Sequence, residues 1–395
     1  MASVRKRTWT SRGEIKTAWV ADYFDQSGTR RLKTFERKKD ADGWLVDARG
    51  EVKRGVHTPE STSITVGEAA DLWIEKADLD KLERSTLRQY RAHADLHIKP
   101  KIGAMKLAQL TAPSIESFRD ELLKSGSRAM ARKVLASLKG ILGEAQRRGL
   151  IAHNPASAVR IDARRREQRK IAAGVDFPSK QEVQTMVAKT EGRWRPLLIT
   201  AIFTGMRASE LRGLTWNDVD FEERVIHVRQ RANLWGEIGA PKSAAGARQI
   251  AMSPMVVNTL KEWRTACPRL KQGEGEEGRL WFVFPAGSGK VESHANILNR
   301  GFYALQLAEG ITKPDPLAGA VGADGNIVLR LKYGLHALRH FFASWAIEQG
   351  FAPKRLQVML GHSSIQMTFD VYGHLFPNLE DDHAKLAAGE LSLVG

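Results

Sequence analysis

One cysteine in 395 residues, Cys267, leaves no material for a disulfide framework or a multi-cysteine zinc site, and suits a reducing cytoplasm. Long hydrophobic runs are also missing. Although 42% of the residues are hydrophobic, no stretch approaches the roughly 18 apolar residues that a membrane span needs, so a globular chain without a membrane partner is expected. The opening MASVRKRTWTSRG has no apolar core, which argues against a secretory signal. Tyrosine is scarce, with five in the whole chain, so each can be weighed singly. No internal repeat or low-complexity tract is visible. Acidic residues are short as well: 45 against 61 Lys and Arg give a net charge of +16 and a pI near 9.9.

That excess is unevenly spread. Lys and Arg exceed Asp and Glu by 5 over residues 1–60, by 6 over 61–160, by 3 over 161–170, and by only 2 over 171–395. A nucleic acid backbone accounts for such a bias, because each phosphate neutralised releases counterions. A merely solubilising surface accounts for it too.

Length and punctuation suggest a multidomain chain, mainly α with small β-sheets. Residues 1–60 alternate β-like runs (Thr17 to Phe24, Arg30 to Phe35) with the turn Ser27-Gly28, then a helix from Lys38 to Arg49. Residues 64–160 read as four helices. Thr65 and Glu68 form a capping box for the first, and Ser85 caps a second, LRQYRAHADLHI, which Pro100 stops. Thr111 and Pro113 start a third. The fourth runs from about Arg128 to Arg148, with Met130, Val134, Leu135, Leu138, Ile141 and Leu142 on its buried face, and ends at Gly149. Arg88, Arg91, Arg132, Lys133, Lys139, Arg147 and Arg148 are exposed charges that can track phosphates. RIDARRREQRKIAAGVDF follows, and residues 161–176 read as a basic linker. The remainder, 177–395, is a mixed α+β domain. Ser179 and Glu182 cap its first helix, and an apolar helix from Pro196 to Phe203 breaks at Gly205. Strands follow near Val225–Val228 and Arg248–Met252, with Lys242 between them.

The chemistry-bearing residues lie in this last part. His336 and Arg339 are i,i+3 on one helix face, where a guanidinium can fork onto phosphate oxygens and an imidazole can move a proton. His340, one turn after His336, raises the alternative of a zinc pair, although position 337 is Ala where HExxH needs Glu. Arg207 opens a helix just after Gly205 and can hold the other side of the same phosphate, or pair with Glu210. Tyr372 follows His362 by ten residues among apolar anchors, where an isolated tyrosine is usually half-buried core.

Four motifs in order, TGMRASEL, APKSAAGARQI, HALRH and LGHSSIQMTFDVYGHL, resemble those of the tyrosine recombinase or phage integrase family. The resemblance implies Arg207 and Arg339 as phosphate-binding arginines, Lys242 as the lysine of a β-hairpin, His336 and His362 as supporting histidines, and Tyr372 as the nucleophile. It also implies an arm-type DNA-binding domain at 1–60, a helical core-binding domain at 64–160 and a catalytic domain at 177–395. The reaction it implies is site-specific cleavage and rejoining of DNA through a 3′-phosphotyrosine, with no cofactor, metal or ATP. His336 would relay the tyrosine's proton and Lys242 protonate the departing 5′-oxygen. Expected partners are double-stranded DNA attachment sites, a homotetramer on that DNA, and accessory bending and excision proteins; the expected location is the bacterial cytoplasm, on the nucleoid. Type IB topoisomerase-like strand swivelling and non-catalytic DNA-binding regulation are the rival functions.

The sequence departs from the family pattern at Ala337 and Phe341, and Lys261 and Lys290 compete with Lys242 for the hairpin role. Residues 311–333, with a turn at Asp324-Gly325-Asn326, read as an insertion ahead of HALRH. The tail after Tyr372 carries a short helix with Leu386, Ala387 and Leu391 available for packing; the resemblance implies docking on a neighbouring copy, and folding back on its own domain is the alternative.

Overall fold

A computed structural model describes residues 2–11, 14–55, 57–162, 170–270, 278–314, 329–376 and 380–394. The chain divides into two compact units, Met1–Arg165 and Arg166–Gly395.

The first unit opens with an antiparallel meander, β1 (Ser3–Ser11), β2 (Glu14–Phe24) and β3 (Arg30–Phe35), followed by α1 (Lys38–Lys53). The β1 strand was not anticipated, because its alternation SVRKRTWTS is polar on both faces and carries no buried stripe. Between β2 and β3 the turn forms where expected: Gly28 takes φ +77°, and Asp25 Oδ1 accepts from the Ser27 and Thr29 amides. Ala21, Tyr23 and Leu45 pack between sheet and helix.

A helical module follows: α2 (Val66–Leu79), α3 (Arg84–His93), α4 (Lys99–Ile102), α5 (Ala112–Ser125) and α6 (Arg128–Arg147). The Thr65–Glu68 capping box is present. Two expectations fail here. The second helix starts one residue before Ser85, and Pro100 does not stop it; a π-helical turn at Ala94–Ile98 carries the chain on into α4, where Pro100 sits in the first turn and its missing N–H is no loss. Met130 is exposed rather than buried, since it lies one turn from the N-terminus of α6, beyond the neighbours that cover Val134, Leu138 and Ile141.

In the second unit, α7 (Lys180–Lys189) is capped by Ser179 and Glu182 as expected, and α8 (Trp194–Thr204) is buried nearly all round. Gly205 ends α8 in the left-handed region at φ +62°. Next come α9 (Ala208–Gly213), then β4 (Val219–Asp220), β5 (Val225–Val228), the hairpin β6 (Arg231–Ala232) and β7 (Ile238–Gly239), and β8 (Arg248–Ala251). Strands β4, β5 and β8 form an antiparallel sheet, Val225 opposite Ala251 and Val228 opposite Arg248. After α10 (Pro254–Ala266) come α11 (His294–Asn296), α12 (Tyr303–Ala308), and a hairpin of β9 (Thr312–Pro314) with β10 (Leu329–Leu331). The hairpin lies within the anticipated insertion; the turn expected at Asp324-Gly325-Asn326 falls outside the described residues. Then α13 (His336–Glu348), α14 (Pro353–Leu360), α15 (Ile365–Tyr372) and α16 (Glu380–Val394) complete the chain.

Two apolar clusters organise this unit. The larger joins α8, the sheet, α10 and the inner face of α13 through Leu338 and Phe341. The smaller joins the other face of α13, through Phe342 and Ala346, to α14 and α15, and includes Tyr372. Helix α13 thus presents its polar positions along the seam where the clusters meet. On α16, Leu386 and Leu391 are exposed.

Candidate active site

Helix α13 brings His336, Arg339 and His340 to that seam, and the left-handed glycines Gly205 and Gly361 set what surrounds them. Arg339 is 3% exposed and donates through Nη1 to the Gly205 carbonyl at 2.8 Å and through Nη2 to the Leu360 carbonyl. Burial and the neighbouring Arg207 lower its pKa to about 9, which still leaves it charged at neutral pH. Gly205 admits no side chain: a Cβ there would sit 2.4 Å from Phe342 Cδ1. Gly361, at φ +63° after α14, is crowded too: a Cβ there would lie 3.0 Å from the Ala245 carbonyl oxygen and from Arg248 Nη1.

Arg207 is the N-cap of α9 and is bound to Glu210 twice, through its own amide at 2.9 Å and through Nη1 at 2.8 Å. Its Nη2 donates to the Gly361 carbonyl at 3.1 Å. The arginine–glutamate pair read from the sequence is therefore present, and it aims the guanidinium. Glu210 is itself held by Arg248, whose Nη1 and Nη2 reach the two carboxylate oxygens at 3.0 and 2.9 Å. Arg248 also donates through Nε to the Met359 carbonyl at 2.7 Å and through Nη1 to the Gly246 carbonyl at 2.9 Å. Burial works to raise the Glu210 carboxyl, but Arg248 and then Arg207 hold it below the usual carboxylate value. Three stretches of chain, at 207–210, 246–248 and 359–361, are thus tied to one buried carboxylate.

Lys242 lies in the connection between β7 and β8 and lines a cavity of about 340 Å³ with Arg207, Glu210, Ser243, Gly361 and Ser363. Lys261 stands on α10 over the Phe221 ring, and neither it nor Lys290 lines this cavity. His362 follows Gly361 and bonds through Nδ1 to the Thr368 hydroxyl at 2.9 Å. Burial, reinforced by Arg339 and Arg207, lowers its pKa to about 4. His336 is exposed at the surface, yet partial desolvation against the site and the adjacent His340 lower its value as well, so both imidazoles are neutral at pH 7.

Tyr372, the last residue of α15, is 2% exposed and does not line the cavity. Burial pushes its phenol up to about 12, against the pull of Arg339. The residue that meets its hydroxyl is not His336: His340 Nδ1 lies 2.8 Å from Tyr372 Oη. His336 stacks edge-on against His340, ring centroids 4.9 Å apart. Among the described residues, no group of three or more His, Cys, Asp or Glu is placed to hold a metal ion. His340 and Arg248 are the site residues that sequence reasoning left without a role in the chemistry. The signal for Arg248 was in strand β8, where period-2 alternation puts it on the same buried face as Ile250.

Residues 177–378 match the phage integrase family, and residues 66–162 match the phage integrase central domain. The chain belongs to the phage integrase family. It is a site-specific recombinase of the tyrosine class. Among relatives of this integrase, a tyrosine recombinase XerC-like protein of Caldanaerobacter subterraneus is 24% identical over 377 residues, covering 89% of this chain and 90% of its own. The prophage integrase IntR of Escherichia coli K12 is 23% identical, covering 83% and 80%. In fold, the integrase resembles the Tn1549 transposon integrase solved with a circular intermediate DNA, with TM-score 0.63, 19% identity, and coverage of 83% of this chain and 100% of that one. It also resembles a lambda integrase tetramer bound to a Holliday junction, with TM-score 0.53, 17% identity, and coverage of 91% and 92%.

Proposed function

We propose that this integrase inserts a phage or other mobile element into a bacterial chromosome, using Tyr372 as nucleophile and Arg207, Lys242, His336, Arg339 and His362 as its supporting set. The observation that carries the reading is the joint placement of Arg207 and Arg339, both fixed by backbone carbonyls around Gly205 and Gly361. A guanidinium so oriented neutralises nonbridging phosphate oxygens as charge builds on them, at little reorganisation cost.

A phenol with a pKa near 12 is a poor nucleophile at neutral pH and needs a partner for its proton. His340, its pKa lowered by burial and its Nδ1 hydrogen-bonded to Oη, takes that proton in the conformation described, and His336 packs edge-on behind it. For attack, Tyr372 turns out of its apolar cluster toward the arginines. The Oη–P bond forms, the P–O5′ bond breaks, and the Lys242 ammonium gives its proton to the leaving oxygen. His362 donates to the phosphate. One phosphoester replaces another, so the bond energy is conserved and a second DNA end can reverse the step without ATP.

The wider organisation follows: an arm-binding module at 1–60, a core-binding module at 64–160, a basic linker at 161–176, and catalysis within 177–395. The partners are attachment-site duplexes, three further copies of the chain, and accessory bending and excision proteins, in the cytoplasm. Among the described residues no helix is long and apolar enough to cross a membrane.

A suicide duplex nicked near the cleavage position, resolved on a denaturing gel, tests the chemistry. The wild-type chain should trap a covalent adduct that persists in EDTA, and Tyr372→Phe should bind the duplex without trapping it. Loss of the wild-type adduct on chelation would remove the metal-free mechanism.

A further inference from the structure

The β9–β10 hairpin ahead of α13 carries two basic side chains side by side. Arg330 stands directly opposite Lys313 in the antiparallel register. Side chains so paired are about 5 Å apart at Cβ, and like charges there are destabilising. Neither has an acidic partner among the described residues, and both line one shallow, open depression with Tyr303, Lys332 and Tyr333. Lys332, by contrast, is spent on structure: its Nζ bonds Glu182 Oε1 at 2.6 Å.

The hairpin is also anchored. Tyr333 exchanges hydrogen bonds with Gln306, amide to Oε1 and Nε2 to carbonyl, each 2.9 Å, and its hydroxyl donates to Glu182 Oε2 at 2.9 Å. Two cations with no acidic partner among the described residues are therefore held facing one another on a base fixed to α7 and α12. Position adds the last element. His336 follows Arg330 by six positions, at most about 22 Å of chain. Along a DNA strand there is one phosphate per roughly 3.4 Å of axis. A duplex whose phosphate sits between Arg207 and Arg339 therefore has further phosphates within reach of this strip.

We infer that Lys313 and Arg330 form a second phosphate clamp, gripping the DNA backbone a few nucleotides from the cleaved bond. This rests on the DNA-cleaving function proposed above. A backbone clamp reads no sequence; it fixes the duplex in register so that the scissile phosphate meets the arginines. It also accounts for an otherwise unfavourable cross-strand pair, since a phosphate between two cations removes their repulsion.

The test is binding of the full chain to a mixed-sequence duplex by fluorescence anisotropy across a salt series, for wild type, Lys313→Gln/Arg330→Gln, and the charge-conserving Lys313→Arg. Losing two phosphate contacts should flatten the log Kd against log salt slope by about 1.8. The double variant should consequently forfeit roughly twelve-fold less affinity than wild type between about 50 and 200 mM salt. Lys313→Arg should keep the wild-type slope. Removing a repulsive pair should leave the thermal midpoint unchanged or raised, which separates lost contact from lost fold. A double variant with the wild-type slope overturns the clamp while leaving the recombinase reading intact. A wild-type chain with no salt-dependent duplex affinity overturns both.

Discussion

Replacing Arg248 with leucine should destabilise the second unit strongly, because it breaks a buried ion pair with Glu210. Arg248 and Glu210 side chains are 2% and 3% exposed, and the leucine leaves the carboxylate with Arg207 alone, whose side chain is 32% exposed. Breaking a buried pair by removing one partner costs about 3–5 kcal/mol. The Met359 and Gly246 carbonyls lose a donor too, at a cost that overlaps with the first and is not summed with it. The pH dependence changes sign. In the wild type the folded Glu210 pKa lies below the ordinary value of 4.5, so its contribution is present above that value and is lost as pH falls through the depressed one. Without Arg248, burial dominates and raises the folded pKa above 4.5. The folded state then holds its proton longer than the unfolded chain does, and stability falls as pH rises through that window. Urea unfolding of the whole chain from pH 4 to 8 measures both effects. Glu210→Gln combined with Arg248→Leu should show a coupling of about 2–3 kcal/mol. A cost below about 1 kcal/mol with the wild-type pH slope would show that Arg248 does not hold Glu210.

Gly205→Ala places a Cβ 2.4 Å from Phe342 and forces an L-residue to φ +62°, at roughly 2–5 kcal/mol; it should lower the melting temperature and slow adduct formation by displacing the Arg339 acceptor. An alanine variant that melts and cleaves like wild type would contradict this packing. Lys242→Ala should cleave an ordinary duplex slowly, yet recover on a substrate with sulfur at the bridging 5′ position, because a thiolate leaves without a proton. If the sulfur substrate brings no recovery, the acid is another group.

The parts of the site that announce themselves in the sequence are those where backbone and chemistry coincide. Gly205 before Arg207, and Gly361 before His362, are glycines because only they take φ near +62° against packed neighbours, so motif and geometry are one signal. His340 was harder to read. Its spacing from His336 fits one helix face as well as a metal pair, and its partner lies 32 residues on, after two helices have turned the chain back. Arg248 meets Glu210 across 38 residues, a distance that no local periodicity spans. Pro100 misled because a π-helical turn can carry a chain past a residue that ends an α-helix, and local spacing does not distinguish the two.

The carbonyls that receive the two arginines carry a consequence for substitution. A guanidinium has five N–H donors in a fixed plane. Arg339 gives one to Gly205 and one to Leu360, and Arg207 gives one each to Glu210 and Gly361, before any DNA arrives. A lysine at either position would keep the charge but have a single nitrogen to divide between scaffold and substrate. Under the proposed function arginine is required there, because the protein is the first claimant on its donors and the phosphate receives those that remain.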